Sequence, residues 1–302
     1  MIAVHTDWNS RPSSNFMHRD SHQRLLNLGC GSRYREGWTN VDITSSDPSI
    51  IAHDLRQRLP FDDQSFDLVY HSHVLEHFDR NAARVFLREC FRVLRPDGLI
   101  RVAVPDLEAI VRCYLSLLEQ GLQGEPVVDD YDWILLELFD QTVRERSGGR
   151  MGDWLRRPDL PNRQFVLQRL GTEARRIMDA PAATQSASNG QKRSFAGRVA
   201  AQIQNRLSPA RIRDKMIRRM LGSDYKALQI GRFRRRGEIH QWMYDQYSLA
   251  RILRETGFNN PTVRTAHDSK ISDWTSWQLD TEPDGSTYKP DSLFMEAKRP
   301  NL

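Results

Sequence analysis

Cysteine is scarce in this chain of 302 residues: only Cys30, Cys90 and Cys113 occur, and none sits in a CxxC pair. That excludes a disulfide framework and the common thiolate zinc sites, and it makes a reducing cytoplasm the expected compartment. Long apolar runs are missing as well. No window approaches the roughly 18 consecutive apolar residues of a membrane span. The opening stretch, MIAVHTDWNSRPSSNF, has no apolar signal region, which argues against secretion. No internal repeat is visible. An overall excess of one charge is also lacking, since 44 Lys/Arg stand against 39 Asp/Glu for a net +5. The imbalance is local instead. From Gln191 to His240, 14 basic residues face 3 acidic ones, so the remainder of the chain is net acidic. What is present is 39 % apolar and 9 % aromatic residues, enough to bury a real core.

Residues 1–22 are polar and read as a flexible N-terminal segment. Short apolar runs then alternate with polar loops and one helix pattern. Arg24–Leu28, Thr39–Ile43, Ile50–His53, Phe66–His71 and Leu99–Val104 read as strands. Asp79 is placed to cap a helix whose apolar positions are Ala83, Phe86, Leu87, Cys90 and Leu94, and RPDG at 95–98 ends it. Alternation of this kind implies crossovers and a mostly parallel sheet. Residues 108–238 then read as a helical insertion, with helices expected at Glu108–Gln120, Asp130–Arg146 and Asn162–Met178. Ala180–Lys192 is small and polar, like a linker or lid. Phe195, Val199, Ile203 and Leu207 share one helical face, and Ile212, Met216 and Met220 are expected to point inward. Alternation resumes near Ile239. Asp245 or Ser248 caps Leu249–Thr256 and Gly257 closes it. Thr262–Thr265 and Ser292–Ala297 read as the last strands. The sheet is therefore assigned to 23–107 and 239–302.

The stretch LLNLGCGSRYREGWTNVDI, residues 25–43, carries the main functional signal. Glycines at a strand's carboxyl end let a ligand approach the backbone, and a carboxylate ending the next strand can accept from ribose hydroxyls. A dinucleotide site needs GxGxxG, which seats a pyrophosphate on a helix N-terminus. Here the third glycine is missing, and the run from Gly31 to Asp42 is too short for a full crossover helix. The pattern suits a nucleoside without a pyrophosphate, and S-adenosylmethionine meets that description.

In these residues the sequence resembles the class I S-adenosylmethionine-dependent methyltransferases. LLNLGCGS is similar to their first motif and NVDI to their ribose-binding acidic motif. HDLRQRLPFDDQSFDLVYHSHVLEHF resembles their adenine loop and fourth strand, and LRECFRVLRPDGLIRVAVPDL the helix and strand that follow. HQWMYDQYSLARILRETGF and YKPDSLFMEAKR resemble a narrower subgroup that accompanies glycosyltransferases of surface-polysaccharide biosynthesis. The resemblance implies an α/β, Rossmann-like sheet of about seven mostly parallel strands with a large helical insertion. It implies S-adenosylmethionine as cofactor and a sugar hydroxyl, on a glycan or a nucleotide-linked or lipid-linked precursor, as acceptor. Gly29, Cys30 and Gly31 would line the methionine moiety, with Asn27 holding the glycine loop where many members carry an acid. Asp42 would hold the ribose hydroxyls, Asp54 the adenine amine and Leu55 the ring edge. Ser72 and His73 would border the amino-acid end.

Methyl transfer to an alcohol or amine requires alignment, exclusion of water and removal of a proton. His73 and His77 follow the fourth strand, His240 begins the returning segment, and Asp106 lies just past the fifth strand. Any of these four is placed to act as base or orienting group. Each also has a structural alternative. Strand alternation puts His71 and His73 on one side and Ser72 on the other, so one of them can pack on cofactor. Glu76 and His77 can open a helix and pair with Arg80, and His240 can anchor the insertion. No carboxylate cluster has a spacing that demands a divalent metal.

The basic block, 191–236, ends in RFRRR and admits three readings. It is a solvated face on an insertion covering the active site, a peripheral contact to anionic membrane, or a nucleic-acid surface. The last is weakest, since few aromatics are available to stack on bases. Two alternatives stand beside sugar methylation: in the same class, an RNA methyltransferase using the basic block, and outside it, a non-catalytic scaffold partnering a glycosyltransferase.

Overall fold

The computed structural model describes residues 23–45, 47–180 and 209–301 of the chain. The expected N-terminal segment, most of the Ala180–Lys192 stretch and the Phe195–Leu207 face lie outside the described residues.

Seven strands form one sheet: β1 (Leu25–Leu28), β2 (Trp38–Asp42), β3 (Ile50–Ala52), β4 (Phe66–Ser72), β5 (Leu94–Pro105), β6 (Asn259–Arg264) and β7 (Ser292–Lys298). Their order is β3-β2-β1-β4-β5-β7-β6. The first five run parallel, and β7 is antiparallel to both β5 and β6. This is the Rossmann-like sheet of class I methyltransferases, with its reversed β7. The sequence direction reverses between β1 and β4, and ligands of open parallel sheets bind at such a switch point. Register makes it specific. Leu28 sits level with Val41 on one side and His71 on the other, and Ser72 is level with Ala103. Gly29, Asp42 and Ser72 therefore emerge together at one edge.

β1 is buried on both faces, as its unbroken apolar run requires. Leu26 and Leu28 face α1 (Arg80–Val93) through Phe86, Leu87 and Cys90. Leu25 faces the other way, onto Trp38, Tyr70, Trp274 and Leu279. The caps fall where expected. Asp79 Oδ1 accepts from the amides of Asn81 and Ala82. Asp245 and Ser248 form a reciprocal capping box on the later helix Gln246–Glu255.

Between β5 and that helix run α2 (Leu107–Leu122), α3 (Val128–Val143), α4 (Gly149–Leu155), α5 (Arg163–Asp179), α6 (Pro209–Leu221) and α7 (Tyr225–Arg234), with Gln246–Glu255 as α8. α4 was not expected. Its apolar side chains Met151, Trp154 and Leu155 join Trp133, Val166 and Ala174 in a second core. Burial of each large side chain there contributes about 2 kcal/mol, enough to hold a short helix opened by two glycines. Met216 and Met220 overturn their expected inward face, being 62 % and 83 % exposed. Alternation resumes past Ile239 with α8 at Gln246 and β6 at Asn259.

One buried ion network holds the second sheet face. Arg101, fully buried on β5, pairs with Asp280 and Glu296 at 2.8 Å each and donates to the Thr265 carbonyl. Tyr70 and Trp274 also donate to Asp280. Such a network is stable only when every member is partnered, and it fixes the segment from 265 to 281 against the sheet.

Candidate active site

The bend after β1 is built on two left-handed glycines, Gly29 at φ 67° and Gly31 at φ 51°. Gly29 and Cys30 donate their amides to the Val41 carbonyl, at 2.8 and 3.1 Å, so the bend is an extension of the β1–β2 ladder. Asp42 faces the bend, and its Oδ2 accepts from the Gly31 amide at 2.8 Å. Asn27 is buried beneath. Its amide donates to the Arg33 carbonyl and to Asn40 Oδ1, both at 3.1 Å. It therefore supports the loop from below. Cys30 is buried, and its thiol is pushed up to about 11 by burial first and the Asp42 charge second. It is a packing residue rather than a nucleophile.

Three cavities open around this edge. A polar one of about 230 Å³ is lined by Gly31, Ser72, His73, Arg33, Tyr288 and Lys289. A second, about 570 Å³, lies between Asp42, Asp54, Leu55, Val74 and Phe78, with Arg234–Arg236 on its far wall. A third, about 400 Å³, is lined by Glu76, His77, His240, Arg144, Glu173 and Asp291, among others. His73 lines all three. It does so because β4 ends in an abrupt turn: His73 has φ 53°, and its amide is held by the Ala103 carbonyl at 2.9 Å. That turn also overturns the expected alternation. His71 and His73 do not share a side. His71 is fully buried against Phe86 and held neutral, with its pKa lowered to about 3 by burial. Ser72 and His73 both reach the polar cavity.

The residues after His73 form one turn of 3₁₀ helix, Leu75–His77, rather than the start of α1. Glu76 points inward, is fully buried and does not pair with Arg80, whose guanidinium lies over Trp242. Its Oε1 faces three imidazoles: His73 Nδ1 at 3.4 Å, His77 Nε2 at 3.9 Å and His240 Nε2 at 4.0 Å. Burial pushes the Glu76 carboxyl up to about 8. Burial likewise holds all three imidazoles below their ordinary range, with the Lys289 charge adding to the effect. All three are thus neutral imidazoles at pH 7, each with one free lone pair.

Of the sequence candidates, His73, His77 and His240 converge, and Gly29, Gly31, Asp42, Asp54, Leu55 and Ser72 line the adjoining cavities. Asp106 does not join them. Its Oδ1 caps α2 by accepting from the Ala109 amide at 3.2 Å, and it lines none of the three cavities. Asp54 is already forked by Arg56, whose guanidinium holds its carboxyl below the usual range. Sequence reasoning missed Lys289, Glu173 and the inward Glu76. Lys289 is half-buried and ion-paired to Glu173 at 2.9 Å. Its only signal was its place in YKPDSLF.

Residues 26–102 match the family model described as a methyltransferase domain. That span covers the bend, Asp42 and the whole of β4. A Mycolicibacterium smegmatis protein described as a probable S-adenosylmethionine-dependent methyltransferase is 33 % identical over 106 residues, covering 30 % of this chain and 40 % of its own length. The chain thus spans about two fifths of the curated relative it matches. Among solved structures, the 1,6-didemethyltoxoflavin N1-methyltransferase of Burkholderia thailandensis is similar over 92 % of this chain and 72 % of its own, at 13 % identity and a TM-score of 0.36. A S-adenosylmethionine-dependent methyltransferase of Archaeoglobus fulgidus covers 91 % and 86 %, at 12 % and 0.35.

Proposed function

We propose that this chain is a S-adenosylmethionine-dependent methyltransferase acting on a hydroxyl of a sugar. The observation that carries the reading is the meeting of three cavities at His73. A nucleoside fits the cavity between Asp42 and Leu55, where an acid stands beside an apolar wall of Val74 and Phe78. The polar cavity beside Gly31, with Ser72, Arg33 and Lys289, fits a zwitterionic amino-acid end. The bend leaves this room because Gly31 has no side chain: a Cβ there would meet nothing within 4 Å. Asp54 can serve the base amine if Arg56 shares it.

When bound, the cofactor supplies an activated methyl group. The chain's own residues hold, orient and deprotonate the acceptor. His73 is the proton acceptor we assign, because it borders both donor cavities and the acceptor cavity. Its Nδ1 side faces Glu76 and its Nε2 lies 2.8 Å from Ser292 Oγ; burial keeps the ring neutral, so it takes a proton only as the acceptor hydroxyl is activated. The acceptor cavity is rich in hydrogen-bonding groups, among them Gln141, Arg144, Glu173 and Glu238. With the apolar Met151, Leu155, Leu170 and Ile177 beside them, these groups fit a sugar, which presents hydroxyl edges and an apolar face.

The basic block divides. Arg232 is spent on Asp214 and Arg234 on the Thr142 carbonyl, and Arg234–Arg236 wall the nucleoside cavity. This favours a cover over the donor site and gives the RNA reading little to work with. Met216 and Met220, one turn apart among Arg213, Lys215 and Arg219, fit an anionic membrane surface, which suits a lipid-linked acceptor. Among the described residues no helix is long and apolar enough to cross a membrane.

The test is incubation with labelled methyl donor and a panel of nucleotide-sugars and lipid-linked oligosaccharides, run beside Asp42→Ala. Label should enter a sugar with the natural chain and drop sharply with the variant. No stabilisation of the natural chain by millimolar donor in a thermal-shift assay would make it the non-catalytic scaffold instead.

A further inference from the structure

Glu76 is fully buried, yet neither of its oxygens has a hydrogen-bond partner. Natural folds rarely leave a buried carboxyl in that state, and each case asks for an explanation such as an ion. Three nitrogen donors face this one oxygen. His77 carries a second feature of a ligand. Its Nδ1 lies 3.1 Å from the Ile239 carbonyl, so Nδ1 bears the proton and the Nε2 lone pair points at Glu76. Cations near the cluster are already partnered: Lys289 with Glu173, and Arg144 with Asp140 and Glu238.

We propose that Glu76, His77 and His240 bind one divalent transition-metal ion, through Glu76 Oε1, His77 Nε2 and His240 Nε2. The ligand atoms of these residues all lie within 4.8 Å of one another. Tetrahedral zinc, with bonds of about 2.1 Å, places its ligand atoms about 3.4 Å apart, so a small inward rotation of the two imidazoles closes the site. Two imidazoles and one carboxylate suit zinc, cobalt, nickel or iron rather than magnesium or calcium, which prefer oxygen. The remaining coordination positions open into the cavity with Arg144, Glu173 and Asp291. The inference rests on the reading of that cavity as the acceptor pocket, where the ion would take the acceptor hydroxyl as a further ligand and lower its proton affinity. His73 stays outside the ligand set, its Nδ1 facing Glu76 Oε1 at 3.4 Å, and remains the proton acceptor.

The test uses the full chain without an affinity tag, stripped with chelator and titrated with Zn²⁺ by calorimetry and with Co²⁺ by visible absorption. One ion per chain should bind, chelator should reverse it, and cobalt should show the absorption of imidazole ligation. Glu76→Gln and His240→Gln should each weaken binding at least tenfold. No stoichiometric uptake, or uptake unchanged in both variants, overturns the site; the second result would move the ion to other histidines such as His5, His18 and His22. Should a variant lose its folded circular-dichroism spectrum, the natural chain decides alone: a water-like octahedral cobalt spectrum overturns the site. Thermal shift with S-adenosylhomocysteine on the same metal-free samples separates the two readings. Stabilisation without metal uptake overturns the metal site and leaves the methyltransferase standing. Metal uptake without stabilisation supports the site and removes the methyltransferase.

Discussion

Alanine at the two glycines of the bend should give two different defects. Both positions are left-handed, so each substitution costs about 1–2 kcal/mol in the backbone alone. Their surroundings differ. A Cβ on Gly29 would drive into Val74 Cγ2, with Val74 Cβ only 3.6 Å away, and Val74 is packed at 8 % exposure in the main core. Overpacking of that kind adds about 1–3 kcal/mol. A Cβ on Gly31 meets nothing within 4 Å, and Gly31 lines the polar cavity. Gly29→Ala should therefore lose about 2–5 kcal/mol of stability, and Gly31→Ala about 1–2 kcal/mol. At roughly 2 °C per kcal/mol for a chain of this size, the melting temperatures should separate by several degrees. Ligand affinity should rank the other way once folding is accounted for. Gly31→Ala puts a methyl group where the amino-acid end would lie, and binding of S-adenosylhomocysteine should weaken about tenfold or more, that is about 1.4 kcal/mol. Differential scanning calorimetry and isothermal titration on the two purified variants make the comparison. Equal melting temperatures, or an affinity unchanged by Gly31→Ala, would refute the assignment of this bend as a ligand cradle.

Asp42→Ala should weaken donor binding about 100-fold, through loss of two charge-assisted hydrogen bonds, and unchanged affinity in calorimetry would remove the pocket. Asp291 is fully buried, and burial first, with the Glu137 charge second, pushes its carboxyl up to about 7. A carboxyl raised in the folded state binds its proton more tightly there than in the unfolded chain. Its presence therefore makes stability fall as pH rises from about 4 to about 7. Asp291→Asn should flatten that slope and melt higher than the natural chain at pH 8 but not at pH 4; parallel melting curves across this range would contradict it. Arg101→Met should strand Asp280 without a cation and leave Glu296 with Arg264 alone, for a loss of about 3–5 kcal/mol. A variant that melts within a degree of the natural chain would show that the network contributes little.

Local signals made most of this legible. The β1 bend and Asp42 are eleven residues apart in sequence and are joined by a ladder that the alternation of LLNL and WTNVD already implies. Caps at Asp79 and Asp245 were equally local. What failed depended on distant partners. No helix is expected at GGRMGDW within the helical insertion, and Trp133 and Val166, distant in sequence, supply the core that makes it one. His73 breaks the strand's alternation because its amide is captured by Ala103 on the next strand. Glu76 reads as a helix-opening residue paired to Arg80, yet His240 and the Gln241 and Trp242 amides, which bond its own carbonyl, draw the turn inward. Met216 and Met220 have a true helical spacing, and spacing alone does not say which side faces the protein.

The segment that closes the site, rather than the bend itself, decides how donor and acceptor cavities are joined. Arg33 donates to the Gln278 and Thr281 carbonyls and to Glu282, and Arg35 donates to the Trp277 and Gln278 carbonyls. Both arginines belong to the loop leaving the glycine bend. From the opposite direction Arg101 grips Asp280. Held at these points, the chain from 277 onward delivers Leu279, Tyr288 and Lys289 to the polar cavity, Lys289 and Asp291 to the acceptor cavity, and Ser292 to His73 Nε2. One strap thus walls both pockets and sets the ring between them. Loss of Arg33 should consequently disturb the amino-acid end and the proton acceptor together, whereas loss of Asp42 should disturb the nucleoside and the Gly31 bend but leave the proton acceptor in place. A proton acceptor placed by the same strap that shapes the donor pocket is positioned only when that strap is seated.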